Sequence, residues 1–153
     1  MSISINGDTV ASGSSDETCQ VWSISENKKL YSVEHKSAGW PCNTVYHVHL
    51  LADQKLGFDL ITASGDKTIK FWRQGQVIKS LEYSTWCSHF DLDKYHRILA
   101  VATGDGVSLW QLETFSKIDE NKIGKITNVR FNANATKLIA ATLEGSVFEI
   151  SLQ

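Results

Sequence analysis

Proline is almost missing from this chain: Pro41 is the only one in 153 residues. That excludes proline-rich linkers and extended proline-rich recognition segments. Cysteine is scarce too. Cys19, Cys42 and Cys87 are odd in number and widely spaced, and no CxxC pair occurs. A disulfide framework is therefore not expected, and a zinc site would need closer ligands. The expectation is three reduced thiols in an intracellular protein. An excess of one charge is also lacking, with 15 Lys and Arg against 17 Asp and Glu, a net charge of −2, and no basic block. Nothing in that balance draws nucleic acid or an anionic membrane. No apolar run approaches the roughly 18 residues of a membrane span. Residues 1–7 have neither a charged start nor an apolar stretch, so no secretory signal is read there, and a cytoplasmic or nuclear location is expected.

What the chain does have is a globular balance of 42% hydrophobic and 21% charged residues, enough to build a core, and an internal repeat. Four copies run Val10–Ser23, Ile61–Arg73, Leu99–Gln111 and, more weakly, Leu138–Ser151. Each is a β-branched run, a tight turn rich in Gly, Asp and Ser, and a second β-branched run, which predicts a hairpin. The runs close on Trp22, Trp72, Trp110 and Ile150, separated by 50, 38 and 40 residues. Before three hairpins lies a strand with apolar residues at i, i+3 and i+5. These are Val45, Val48 and Leu50, then Cys87, Phe90 and Leu92, then Ile126, Val129 and Phe131. Nine residues separate Leu92 from Val101 and Phe131 from Ala140, and twelve separate Leu50 from Thr62. The same nine-residue step back from Ser12 reaches Ile3, which is expected to take the i+5 place. After the hairpins, Lys28–Glu34, Gln76–Glu82 and Thr114–Asp119 are expected as outer edge strands.

The spacing predicts an all-β chain of β-propeller blades, each of four antiparallel strands. The expected boundaries are 1–34, 35–82, 83–119 and 120–153, a single domain of about four repeats.

These residues resemble the WD-repeat family. The features that carry the likeness are Ser12, Asp16 and Trp22 in the first copy, and His35, Thr62, Asp66 and Trp72 in the second. In that family such residues form a buried hydrogen-bonded set, so the resemblance implies a structural network of these seven together with Trp110. The departures are specific. No Trp is followed by Asp, Val101 stands at the hydroxyl position of the third copy, and Ala140, Glu144 and Ile150 replace the key residues of the fourth. The resemblance implies a partial propeller. Closure stays open between the remainder of a longer chain, self-association of two copies, and a small four-bladed ring.

Catalytic patterns are missing. There is no GxSxG elbow, and Gly104 and Gly106 belong to a hairpin turn rather than a phosphate loop. His47 and His49 share one face of a strand but lack an evident third ligand, so no metal and no cofactor is expected. The paired-arginine motif of lipid-binding propellers is absent, Arg73, Arg97 and Arg130 being the only arginines. Asp91 and Asp93 read as solvated turn carboxylates. The resemblance therefore implies a non-catalytic protein–protein interaction scaffold, probing partner peptides or domains with its loops. An alternative is the recognition module of a ubiquitin-ligase or splicing-associated WD protein. Candidate partner-binding residues are Trp40 and Pro41 in the link after His35, where Trp40 is equally placed to cover the neighbouring blade, Glu17 and Lys67 in hairpin turns, and Trp86, for which packing is the favoured reading.

Overall fold

The computed structural model describes residues 1–36, 42–51, 56–93 and 97–152. Among them are fifteen strands and no α-helix, so none long and apolar enough to cross a membrane. The chain divides into two compact units, Met1–Trp86 and Cys87–Gln153.

In the first unit, β1 (Ser2–Asn6), β2 (Thr9–Gly13), β3 (Thr18–Ser23) and β4 (Lys28–Glu34) form one antiparallel sheet in sequence order. A second sheet follows from β5 (Val45–Leu50), β6 (Leu60–Ser64), β7 (Thr68–Arg73) and β8 (Gln76–Glu82). In the second unit, β9 (Cys87–Asp93), β10 (Ile98–Thr103), β11 (Val107–Gln111) and β12 (Ser116–Asn121) make a third sheet of the same order. The last sheet holds β13 (Ile126–Phe131), β14 (Lys137–Thr142) and β15 (Val147–Ser151). The outer strand expected at Thr114–Asp119 thus lies two residues later, because Phe115 takes a turn conformation with φ of 51°.

Each sheet is a meander because short turns join β-branched runs. The register repeats. Thr62 faces Val48, Val101 faces Phe90, Ala140 faces Val129, and Ser12 faces Ile3. Ile3 therefore takes the i+3 place, not the expected i+5 place, which belongs to Ile5. The reason is the turn at Gly7 and Asp8, which is shorter than its counterparts and pulls β1 two residues closer to β2.

In each unit the apolar residues of one sheet pack on those of the next. In the first unit Ala11, Cys19, Val21 and Val33 of the first sheet meet Val45, Val48, Leu50, Leu60 and Trp72 of the second. In the second unit Ala102, Val107 and Leu109 of the third sheet meet Ile126, Val129, Leu138 and Ala140 of the fourth. Polar side chains on the innermost strands stitch these pairs. Ser4 Oγ accepts the Leu50 amide at 2.9 Å, and Asp91 Oδ2 accepts the Phe131 amide at 2.8 Å. Asp91 also meets Arg130 at 3.4 Å, and Asp93 is 4% exposed. Neither is the solvated turn carboxylate expected. They sit within β9, and Asp91 is held by an adjacent strand whose backbone needs an acceptor. Close approach decides one glycine: a Cβ on Gly13 would lie 2.8 Å from a methyl of Val45, too near for the two sheets to keep their spacing.

Candidate functional site

The turn end of the second sheet concentrates the buried polar groups. The β6–β7 turn has Lys67 at φ 71°, and Asp66 reaches back across it. Asp66 Oδ1 accepts the Thr68 amide at 3.0 Å and the Thr68 hydroxyl at 2.6 Å, which closes the turn with a side chain. Ser64 Oγ accepts the Asp66 amide at 3.1 Å and donates to the Asn43 carbonyl at 2.9 Å.

His35, just beyond β4, reaches this turn and is fully buried. Its Nδ1 lies 2.9 Å from Asp66 Oδ2, and its Nε2 lies 2.6 Å from Thr62 Oγ1. Trp72 Nε1 donates to the same Thr62 oxygen at 2.8 Å. One proton arrangement satisfies every group. The indole N–H donates to Thr62, the Thr62 hydroxyl donates to Nε2, and the Nδ1–H donates to the carboxylate. A neutral imidazole is required, since a proton on Nε2 would leave the Thr62 hydroxyl without its acceptor. Burial is the largest influence on His35 and lowers its pKa below the usual histidine value, outweighing the adjacent Asp66. For Asp66 burial works upward. The hydrogen bond from His35, the Thr68 hydroxyl and Lys70 outweigh it and hold the carboxyl well below its ordinary value. Lys70 Nζ is 3.3 Å from Asp66 and 5.8 Å from the Trp72 ring centre.

Thr62, His35 and Asp66 thus stand in the order hydroxyl, imidazole, carboxylate that activates a nucleophile. Here it cannot act as one. Thr62 is fully buried, and its oxygen is already taken by the indole of Trp72. The set is a clamp that ties the link after β4 to β6, β7 and their turn.

The other sheets use the same positions differently. Ser12, Asp16 and Trp22 do not come together. Asp16 is exposed and caps Thr18 at 3.0 Å, while the Trp22 indole donates to Gln20 at 3.3 Å. Without a histidine to bridge turn and strand, Ser12 and Asp16 have nothing to share, so this part of the expected network is corrected. In the third sheet Val101 offers no hydroxyl, and Trp110 Nε1 donates instead to Ser108 at 3.0 Å, directly across from Val101. Sequence reasoning missed Ser108 and Lys70. Both lie two residues before the closing Trp on the same strand, which places them on its face.

Over the clamp opens a groove of about 390 Å³ lined by Lys36, Asp66, Lys67, Thr68, Lys70, Ser80, Glu82 and Tyr83. Asp66 and Thr68 bring the turn's network to its wall, and the rim mixes Lys36, Lys67 and Lys70 with Glu82, Lys36 being paired with Glu34 and Lys70 with Asp66. Glu17, in the matching turn of the first sheet, is tied down by its neighbours. Its carboxylate accepts from Asn43 at 3.1 Å and its carbonyl accepts the His35 amide at 2.9 Å. Trp86 is half-buried at the end of the first unit. Trp40 and Pro41 lie outside the described residues. His47 Nδ1 is 3.1 Å from Ser2 Oγ, and among the described residues no three His, Cys, Asp or Glu side chains stand together as metal ligands.

Comparison with known proteins bears on this arrangement. The family model described as WD domain, G-beta repeat matches residues 1–23 and 29–73, the first two sheets up to the end of β7. The crystal structure of the computationally designed Ika4 protein superposes with a TM-score of 0.80 at 19% identity, covering 99% of this chain and 90% of that one. That likeness concerns the fold, and it makes the four sheets propeller blades. No curated protein sequence matches the chain. The matches of that family model fall on the first two blades, and the second of these carries the complete buried set.

Proposed function

We propose that these repeats form a non-catalytic platform that holds a partner protein on the turn face of the first two blades, within a larger intracellular assembly. WD repeats serve generally as protein-interaction scaffolds. The observation that carries the reading here is the polar, lysine-bearing groove at the His35–Asp66–Thr62–Trp72 clamp. A binding loop is useful when its backbone is already fixed, because little ordering entropy is then lost on association. The clamp does that for Ser64–Lys67, and Glu17 does it for the neighbouring turn. The partner segment is one with polar groups to meet the mixed lysine and glutamate rim and a side chain to lie on Tyr83.

A photo-crosslinking residue placed at Lys67 tests this inside cells. Discrete protein adducts are expected from that position and not from Glu26, an exposed turn residue of the first sheet, and Lys36→Glu should weaken them. Equal adducts from both positions, or none from Lys67, would remove this face as the docking site.

A further inference from the structure

Asn6 and Gly7 stand together in the tight turn between β1 and β2, the one Asn–Gly pair in the chain. Each of the other six asparagines is followed by a residue with a side chain, and glycine follows an aspartate once, at Asp105–Gly106. The two pairs share a chemistry. The backbone amide that follows an Asn or Asp can attack the carbonyl carbon of that side chain, and a glycine leaves this amide uncrowded.

The structure separates the two pairs. Asn6 faces Thr9 as the last pair of the β1–β2 ladder, and Gly7 and Asp8 close the loop. Gly7 is exposed with φ of 57°, and a Cβ there would meet nothing within 4 Å. Among the described residues its amide has no hydrogen-bond partner. Gly106 is the opposite case. It is buried, its amide donates to Thr103 Oγ1 at 3.2 Å, and a Cβ there would run into the Asn121 carbonyl oxygen. An amide bonded and packed in this way reaches a neighbouring carbonyl carbon only after local opening.

The Asn6 side chain has a structural partner that its chemistry would remove. Ser2, Ser4 and Asn6 alternate along β1 and share one face. Ser2 Oγ accepts the Val48 amide at 3.3 Å, and Ser4 Oγ accepts the Leu50 amide at 2.9 Å. Asn6 Nδ2 donates to the Leu51 carbonyl at 3.1 Å, so it is the donor in the row that joins the first two sheets.

We propose that Asn6 is a site of spontaneous deamidation, and that its product loosens the seam between the first two blades. The Gly7 nitrogen gives its proton to hydroxide and bonds to Asn6 Cγ. The Cγ–Nδ2 bond breaks, and the nitrogen takes a proton from water and leaves as ammonia. Water then opens the cyclic imide at either of its carbonyls, giving aspartate or isoaspartate. The Leu51 bond opens first, so the folded chain reacts more slowly than a free peptide of the same sequence. Either product puts a carboxylate where the donor stood, with no proton to offer the Leu51 carbonyl. Isoaspartate also lengthens the main chain of a loop that holds only Gly7 and Asp8. This turn lies at the opposite end of the first sheet from Ser14–Glu17, so the proposal is independent of the groove in the second blade.

The test uses the full 153-residue chain beside synthetic peptides of residues 2–12 and 101–111, all kept at mildly alkaline pH. Peptide mapping by mass spectrometry follows conversion, and enzymatic methylation reads isoaspartate. Folding should slow Asn6 by less than about tenfold relative to its peptide, and isoaspartate formation at Asp105 by about a hundredfold or more. Asn6→Asp, which carries the carboxylate from the start, should lower the melting temperature by about 2–5 °C. Equal slowing at the two sites, or conversion at Asn6 no faster than at the other asparagines, would overturn the site. An unchanged melt in Asn6→Asp would overturn the loosening of the seam.

Discussion

In the second sheet Trp72 is 4% exposed and gives its indole proton to Thr62; in the first sheet Trp22 is 37% exposed and gives its proton to Gln20. The two residues hold the same register position, opposite Leu60 and Val10. What separates them is what lies on either side. Trp72 packs on the first sheet and has His35 within the same network, with the rings 5.9 Å apart and nearly perpendicular. Trp22 is on the face of the first sheet turned away from the second. An aromatic at a repeat position thus marks a blade, but the blade before it and a bridging histidine decide whether its polar handle closes a network.

The comparison can be broken by substitution. Trp72→Ala removes a buried aromatic and strands Thr62, and should cost about 3–5 kcal/mol in denaturant unfolding. A loss below about 1 kcal/mol would contradict the role given to it. His35→Ala leaves both the Asp66 carboxylate and the Thr62 hydroxyl buried with a partner gone, at about 3 kcal/mol by the same measurement. Thr62→Val keeps the shape but removes the shared oxygen, for about 1–3 kcal/mol. Ser12→Val, at the matching position of the first sheet, should change stability by no more than about 0.5 kcal/mol. Trp22→Ala falls between, at about 1 kcal/mol.

Acid sharpens the same contrast. Burial lowers the pKa of His35 below its ordinary value, and burial, followed by the charge of Arg130, lowers that of His89 to about 4. The unfolded chain therefore binds more protons than the folded one below pH about 6.5, so stability falls as pH drops from there toward the folded values. Asp66 has the same sign, and its contribution is lost only in stronger acid, as pH falls through its depressed folded pKa. Melting temperatures between pH 7 and 4 should decline less steeply in His89→Gln than in the parent chain. An unchanged slope would mean that His89 does not take up its proton on unfolding.

Much of this was legible in the sequence. Runs such as Ile61–Ser64 and Leu99–Ala102 are β-branched or small and bounded by turns, so the strands and their blade period could be read directly. The clamp of the second blade was legible because all four of its residue types stand at family spacing. The rest depended on facts that spacing does not carry. The short turn at Gly7 and Asp8 moved Ile3 to a different register place, and only the pairing shows it. Asp91 looked like a turn carboxylate because its acceptor role is toward a backbone 40 residues away. The resemblance places Ser12, Asp16 and Trp22 in one buried set, whereas cover and a histidine, both supplied by other segments, decide whether such a set closes.

The central claim is that Trp72, Thr62, His35 and Asp66 form one closed and buried hydrogen-bonded set, whereas the other blades do not. Hydrogen exchange of the indole N–H groups, followed by NMR, reads it directly. The account predicts that the Trp72 indole exchanges far more slowly than those of Trp22 and Trp110, by about a hundredfold or more, with exchange limited by opening of the second blade. Comparable rates at all three would show that the set is open to water, and would contradict the account.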